Sequence, residues 1–228
     1  MNIINIISKG GGEKMKSIKT IPLMAMIIMG ILSLTNLIGI KIAGLSVVTG
    51  VIFFFINKNM EKGCNEDHGL DVSLIKTAFK DRSIWILFTL PIIMDALSIT
   101  ISILFLPQYI DHVIARTDIF ISFDKIAIMV LQLAFLALGE EIAWRAFFQK
   151  QLNKVFPITH TLIFSSILFA IGHISGGNAI IVIYDIFFVF INSILYGTIF
   201  YKTKNAWVSA ISHFTANLFS IIVLIFLL

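Results

Sequence analysis

Charge is scarce in this sequence. Of its 228 residues only 13% are Asp, Glu, Lys or Arg, about half the ~25% usual in soluble domains. With 58% of the residues hydrophobic, a water-soluble globule of this size is excluded, because its exterior still needs polar cover. A disordered chain and a nucleic-acid binder fall on the same ground. Proline is rare too, 4 residues against 21 Phe, so few helix breakers interrupt the apolar runs. Alternation of apolar and polar residues is missing, which argues against an outer-membrane barrel. Cysteine occurs once, as Cys64, so there is no intrachain disulfide and no cysteine-based metal cage. What is present is a mean hydropathy of +0.97 and a pI near 9.2. The net charge of +4 fits lysines in cytoplasmic loops of a membrane protein.

The expected fold is therefore all-α, a polytopic transmembrane helical bundle. A spanning helix needs about 20 mostly apolar residues. Seven stretches qualify or nearly do: 21–40, 42–56, 84–106, 124–152, 157–174, 179–201 and 206–228. The first two form a tight hairpin around Lys41. A polar stretch, 57–83, follows them. Pro107 ends the third, and Gly176 and Gly177 break the chain after the fifth. No internal repeat or second domain is visible. Residues 1–20 read as a cytoplasmic segment and 21–228 as the transmembrane domain. Within that segment, Gly10-Gly11-Gly12-Glu13-Lys14 before Met15 resembles a translated ribosome-binding site. Translation is expected to begin at Met15, and intact mass would decide it.

Basic residues set orientation in membranes. Lys9, Lys14, Lys16, Lys19, Lys58, Lys62, Lys76, Lys80, Arg82, Lys150, Lys154, Lys202 and Lys204 fall on one side, and only Lys41 and Arg116 on the other. The amino terminus is expected in the cytoplasm, with an odd number of spans.

Ionisable groups inside spans are expensive and point to function by default. The fourth span holds Glu140, Glu141 and Arg145, the fifth His173, and the seventh His213 with Asn217 four residues on. Glu141 and Arg145 are spaced to pair on one helix face. Glu140 is turned by about 100° from Glu141 and can present its carboxylate elsewhere. Counting from a turn near Phe156, Glu140 and His173 both lie roughly 25 Å along an antiparallel hairpin. His213 lies roughly 15 Å beyond the Lys202/Lys204 turn, which agrees only loosely. Asp185 and Asn192 share a face of the sixth span and suit an interhelical hydrogen bond. Asp95 follows Pro91 and is expected to satisfy backbone groups freed by the proline.

These residues resemble a known family. Glu140-Glu141-Ile142-Ala143-Trp144-Arg145 is similar to the E-E-x-x-x-R motif of the CPBP family, the CAAX-protease and bacteriocin-processing intramembrane endopeptidases. Phe169 with His173 resembles its F-x-x-x-H motif, and His213 with Asn217 its H-x-x-x-N motif. The resemblance covers about 124–228, while the first three spans add only hydrophobicity. Motifs of other intramembrane proteases, H-E-x-x-H, G-x-G-D and G-x-S-x-G, do not occur.

Peptide hydrolysis needs an activated water, a stabiliser for the oxyanion and proton delivery to the leaving amine. Glu140 and His173 at one depth could hold the water, with Glu140 as general base. His213 and Asn217 could form the oxyanion hole. The resemblance implies the same assignment and makes Glu141 and Arg145 an essential supporting pair. A metal-free, glutamate-dependent reaction is expected, and the rival is zinc held by Glu140, His173 and His213. The substrate is expected to be a peptide or membrane-protein segment in the lipid bilayer of a bacterial cell membrane, with no nucleic acid. A role in bacteriocin self-immunity or peptide maturation is open. So is a non-catalytic immunity or regulatory protein. A proton-coupled transporter is disfavoured by the lack of two related halves.

Overall fold

The computed structural model describes residues 17–60, 69–118, 121–122 and 125–226. Cys64, Asp124 and the Gly10-to-Met15 leader lie outside them. Regular structure among the described residues is helical throughout. Helix α1, Thr20–Leu34, runs on through a 3-10 turn, Thr35–Ile38, closed by Gly39 at φ 79°. Helix α2 is Gly44–Met60, and the short α3, Ser73–Ala78, lies within the polar stretch. Then come α4, Arg82–Phe105, and α5, Gln108–Thr117. Helix α6 covers Ile126–Leu152. It is followed by α7, Ile158–Ile171, α8, Ala179–Thr203, and α9, Ala206–Phe226.

The protein is a multi-pass membrane bundle. Five of these helices, α1 with its 3-10 turn, α4, α6, α8 and α9, are long and apolar enough to cross a bilayer. The shorter apolar helices α2 and α7 bring the apolar helices to the seven expected. Helix α5 was not anticipated. It is polar and amphipathic, and it occupies the segment read as a loop between the third and fourth spans.

Local chemistry sets the helix ends. Asp81 accepts from the Ser83 backbone N–H at the start of α4. Hydrogen bonds from the Ser83 hydroxyl and backbone, with Lys202 beside them, pull the Asp81 carboxyl down to about 2. Lys202 also reaches Ser83, so the end of α8 is fastened to the start of α4. Asn178 caps α8 in the same way, by accepting from Ile180 N.

Helix α6 organises the molecule. Its first half packs Met129 and Leu133 with Ile221 of α9 and leaves Ile126, Leu131 and Phe135 exposed on the outer face. Its segment Ile142–Gln149 is π-helical, and all eight residues are buried. A helix covered all round must sit at the centre of its bundle. Helix α2 approaches it closely at Gly50, where an added Cβ would lie 2.5 Å from Ala143 Cβ. On another side Trp144 meets Phe169 of α7 edge-on at 5.9 Å.

Candidate active site

The site is built where α6 turns from partly exposed to buried. Glu140 and Glu141 end its α-helical part, and Arg145 lies in the π-helical segment. A π-helical stretch inside an α-helix occurs most often at functional sites. Arg145 reaches back one turn to Glu141, Nε to Oε2 at 3.3 Å, with both side chains wholly buried. Arg145 Nη2 also donates to Ser193 Oγ at 3.0 Å, and its guanidinium lies 5.1 Å from the centre of the Phe169 ring.

Glu140 points away from this pair, as its 100° offset requires. Its Oε1 lies 4.0 Å from His173 Nε2, and its Oε2 lies 3.7 Å from His213 Nε2. Two helices and the turn that follows a third thus bring one carboxylate and two imidazoles together. The group is reachable: the Glu140 and His173 side chains keep 19% and 26% of their surface exposed. His173 is placed differently from the expectation. It is not within the fifth span but on the turn after α7, which ends at Ile171.

Each histidine is tied by its other nitrogen. His173 Nδ1 meets the Phe169 carbonyl oxygen at 2.8 Å. A carbonyl only accepts, so the hydrogen sits on Nδ1, and neutral His173 offers a lone pair at Nε2 toward Glu140. His213 Nδ1 meets Glu141 Oε1 at 3.1 Å. Glu141 therefore joins Arg145 to His213 and orients the second imidazole. Two aromatic rings complete the setting. Tyr196 stacks on His213 at 4.3 Å and 17°, and Phe169 packs against His173 at 4.5 Å. Asn217, one turn past His213 on α9, is partly buried and makes no hydrogen bond among the described residues.

Sequence spacing missed Ser193 and Tyr196, because their partners come from other helices. It also misassigned Asp95. That carboxylate does not cap backbone freed by Pro91. It accepts from Asn192 Nδ2 at 2.6 Å and Ser220 Oγ at 2.7 Å, joining α4, α8 and α9. Asp185 forms its interhelical contact with α5. Arg116 reaches it at 3.2 Å and His112 at 3.4 Å.

Among the described residues no three His, Cys, Asp or Glu side chains are gathered to hold a metal ion. Zinc bonds of about 2.0–2.2 Å to nitrogen and oxygen draw their ligands closer together than the 3.7 and 4.0 Å gaps found here. No step is routed through a metal.

No curated protein and no solved structure matches this chain. A family model does match residues 122–219, that of the Rce1-like type II CAAX prenyl endopeptidases. The matched segment contains Glu140, Glu141, Arg145, Phe169, His173, His213 and Asn217. Over residues 122–219 the chain is thus similar to the Rce1-like family, in line with its resemblance to CPBP proteins.

Proposed function

We propose that the protein is an intramembrane endopeptidase that hydrolyses a peptide bond with a water held between Glu140 and His173. The observation carrying this reading is the convergence of the Glu140 carboxylate with two imidazoles tied by their far nitrogens. A water bonded to two atoms 4.0 Å apart at ordinary lengths of ~2.8 Å would subtend an angle near ~90°. Carboxylate and neutral Nε2 both accept, so this water donates both hydrogens. Its lone pairs then face outward, toward a substrate carbonyl. Glu140 takes the proton as water attacks and returns it to the leaving amine.

His213 and Asn217 receive the developing oxyanion. To donate from Nε2 while Nδ1 faces Glu141, His213 must carry both hydrogens. The two flanking carboxylates against the single Arg145 guanidinium supply the charge that balances such an imidazolium. Glu141 and Arg145 support the site without touching substrate. An apolar groove between α7 and α8, lined by Ala170, Ile174, Val182 and Phe187 among others, flanks the His173 turn. It suits an apolar segment arriving from the bilayer. The family's CAAX prenyl peptides supply the first substrate to try. Bacteriocin precursors and membrane-protein tails are the bacterial alternatives. The amino terminus is placed in the cytoplasm on the lysine distribution.

The test is cleavage of a farnesylated, internally quenched CAAX peptide, then a panel of precursor peptides, in proteoliposomes. Glu140→Gln should lower turnover by at least ~100-fold, the lower end for a lost general base, with the helical spectrum unchanged. Full activity in that variant rejects the assignment. One tightly held zinc per purified chain would reassign Glu140, His173 and His213 as ligands.

A further inference from the structure

His173 has no helix of its own to hold it. It lies on the turn 172–178, between the end of α7 and the start of α8. A reacting group on a loop must still be kept within about 0.5 Å of its working position. Two side chains from outside the matched segment grip this turn from different elements.

The first is Asn36, in the 3-10 turn that ends the first span. Its Nδ2 donates to Gly172 O at 2.7 Å and to Ile174 O at 3.1 Å. These two carbonyls stand on either side of His173. They lie in the turn just past the end of α7, where carbonyls lack helical partners. One amide group with two hydrogens satisfies both. The reverse amide orientation would set oxygen against two oxygens, so the donor end is chemically determined. Ser33, one turn earlier, also lies beside the turn, since a Cβ on Gly172 would lie 3.5 Å from Ser33 Oγ.

The second is His112 of α5. Its Nε2 lies 3.2 Å from Ser175 Oγ, two residues past His173, and 3.4 Å from Asp185 Oδ2. Asp185 is held in turn by Arg116, with Nε at 3.2 Å and Nη2 at 3.3 Å. The chain passes close under His112. At Gly177, φ 151°, an added Cβ would lie 3.2 Å from His112 Nδ1. Serine and aspartate address the same imidazole nitrogen. A relay for a serine nucleophile needs them on opposite nitrogens, so this cluster fastens the turn and does not attack a substrate.

We propose that Asn36 and His112 are positioning residues for His173, bracketing its turn so that Nε2 stays aimed at Glu140. Neither touches Glu140, and both act through the turn. The first span and α5 thereby enter the working of a site whose motifs all lie downstream. The proposal rests on the reading of His173 as a group that holds the attacking water.

The test uses the full chain in proteoliposomes, with Asn36→Leu, which keeps size and removes both donors, and His112→Phe, which leaves Asp185 paired with Arg116. Two readouts are taken. The first is the ring carbon NMR signals of the five histidines, with that of His173 assigned by its loss in His173→Gln. The second is kcat and KM on the best-cleaved peptide. In each variant the His173 signal should shift or broaden while that of His213 stays. kcat should fall by about 10-fold, within the range expected for a small misplacement, with KM unchanged within about twofold. An unmoved His173 signal with unchanged kcat in both variants overturns the proposal. If Asn36→Leu fails to fold, His112→Phe decides by the same criteria. If the wild-type protein cleaves nothing, the catalytic reading fails, and the spectra alone decide whether the two residues set the imidazole.

Discussion

A wholly buried guanidinium beside one carboxylate is tolerable only while both remain. Arg145 and Glu141 are such a pair, each without exposed surface. Removing one partner of a buried pair typically costs about 3–5 kcal/mol, whereas replacing both costs far less. Arg145→Met should therefore destabilise the protein by about that amount in detergent unfolding titrations. The double variant Glu141→Gln with Arg145→Met should be the more stable of the two. If the single variant matches wild type, Arg145 is not holding Glu141. This pair was legible in the sequence because its geometry is local, four residues along one helix. The bond from Glu141 to His213 spans 72 residues of sequence and leaves no trace in spacing. The same holds for the stacking of Tyr196 on His213. The hairpin depth argument did anticipate the meeting of Glu140 and His173, since two helices joined by a short turn share a ruler. Only the rise per residue enters that ruler, so it holds although α7 ends at Ile171.

At the scale of elements, the close approach of α2 to α6 depends on a missing side chain. An alanine Cβ at Gly50 would lie 2.5 Å from Ala143 Cβ and 2.8 Å from its Cα. Backbone cannot yield as a flexible side chain can. Gly50→Ala should cost about 1–3 kcal/mol, the range for overpacking, and adding Ala143→Gly should recover part of it. Gly30→Ala is the control, because the nearest atom there, Leu168 Cδ1, is 3.8 Å away. An unchanged unfolding midpoint for Gly50→Ala would refute the tight crossing. Apolar run length made the long helices readable. It could not reveal α5, whose Asp111, His112 and Arg116 give it the composition of a loop. Nor could it show the π-helical segment, which depends on neighbours packing around α6 from all sides. The polar anchors of Asp95 were hidden for a related reason, because α8 and α9 supply them.

For the whole molecule, if all seven apolar helices of the described residues cross the membrane, the two chain ends fall on opposite sides. On the lysine distribution, the expected orientation has the Lys41 turn outside and the Lys80 segment inside. Both lysines are exposed. In a Cys64→Ser background, Lys41→Cys should react with an impermeant maleimide on intact cells, and Lys80→Cys only after lysis. The reverse pattern would invert the topology. Charge alone supplies the orientation that this experiment tests. It could not supply the involvement of the first span in the site, because Asn36 is a single uncharged residue at the end of an apolar run.

Helix α7 has 14 residues, a length of about 21 Å against a hydrocarbon thickness near 30 Å. It cannot bridge the acyl region unaided. The leaflet beside its end must dimple, or polar headgroups must sink toward the turn that follows. Either way moisture is drawn down to the imidazole at that end. A hydrolase working in oil needs a standing supply of its second reactant, and for the proposed reaction the shortness of one helix would provide the inlet.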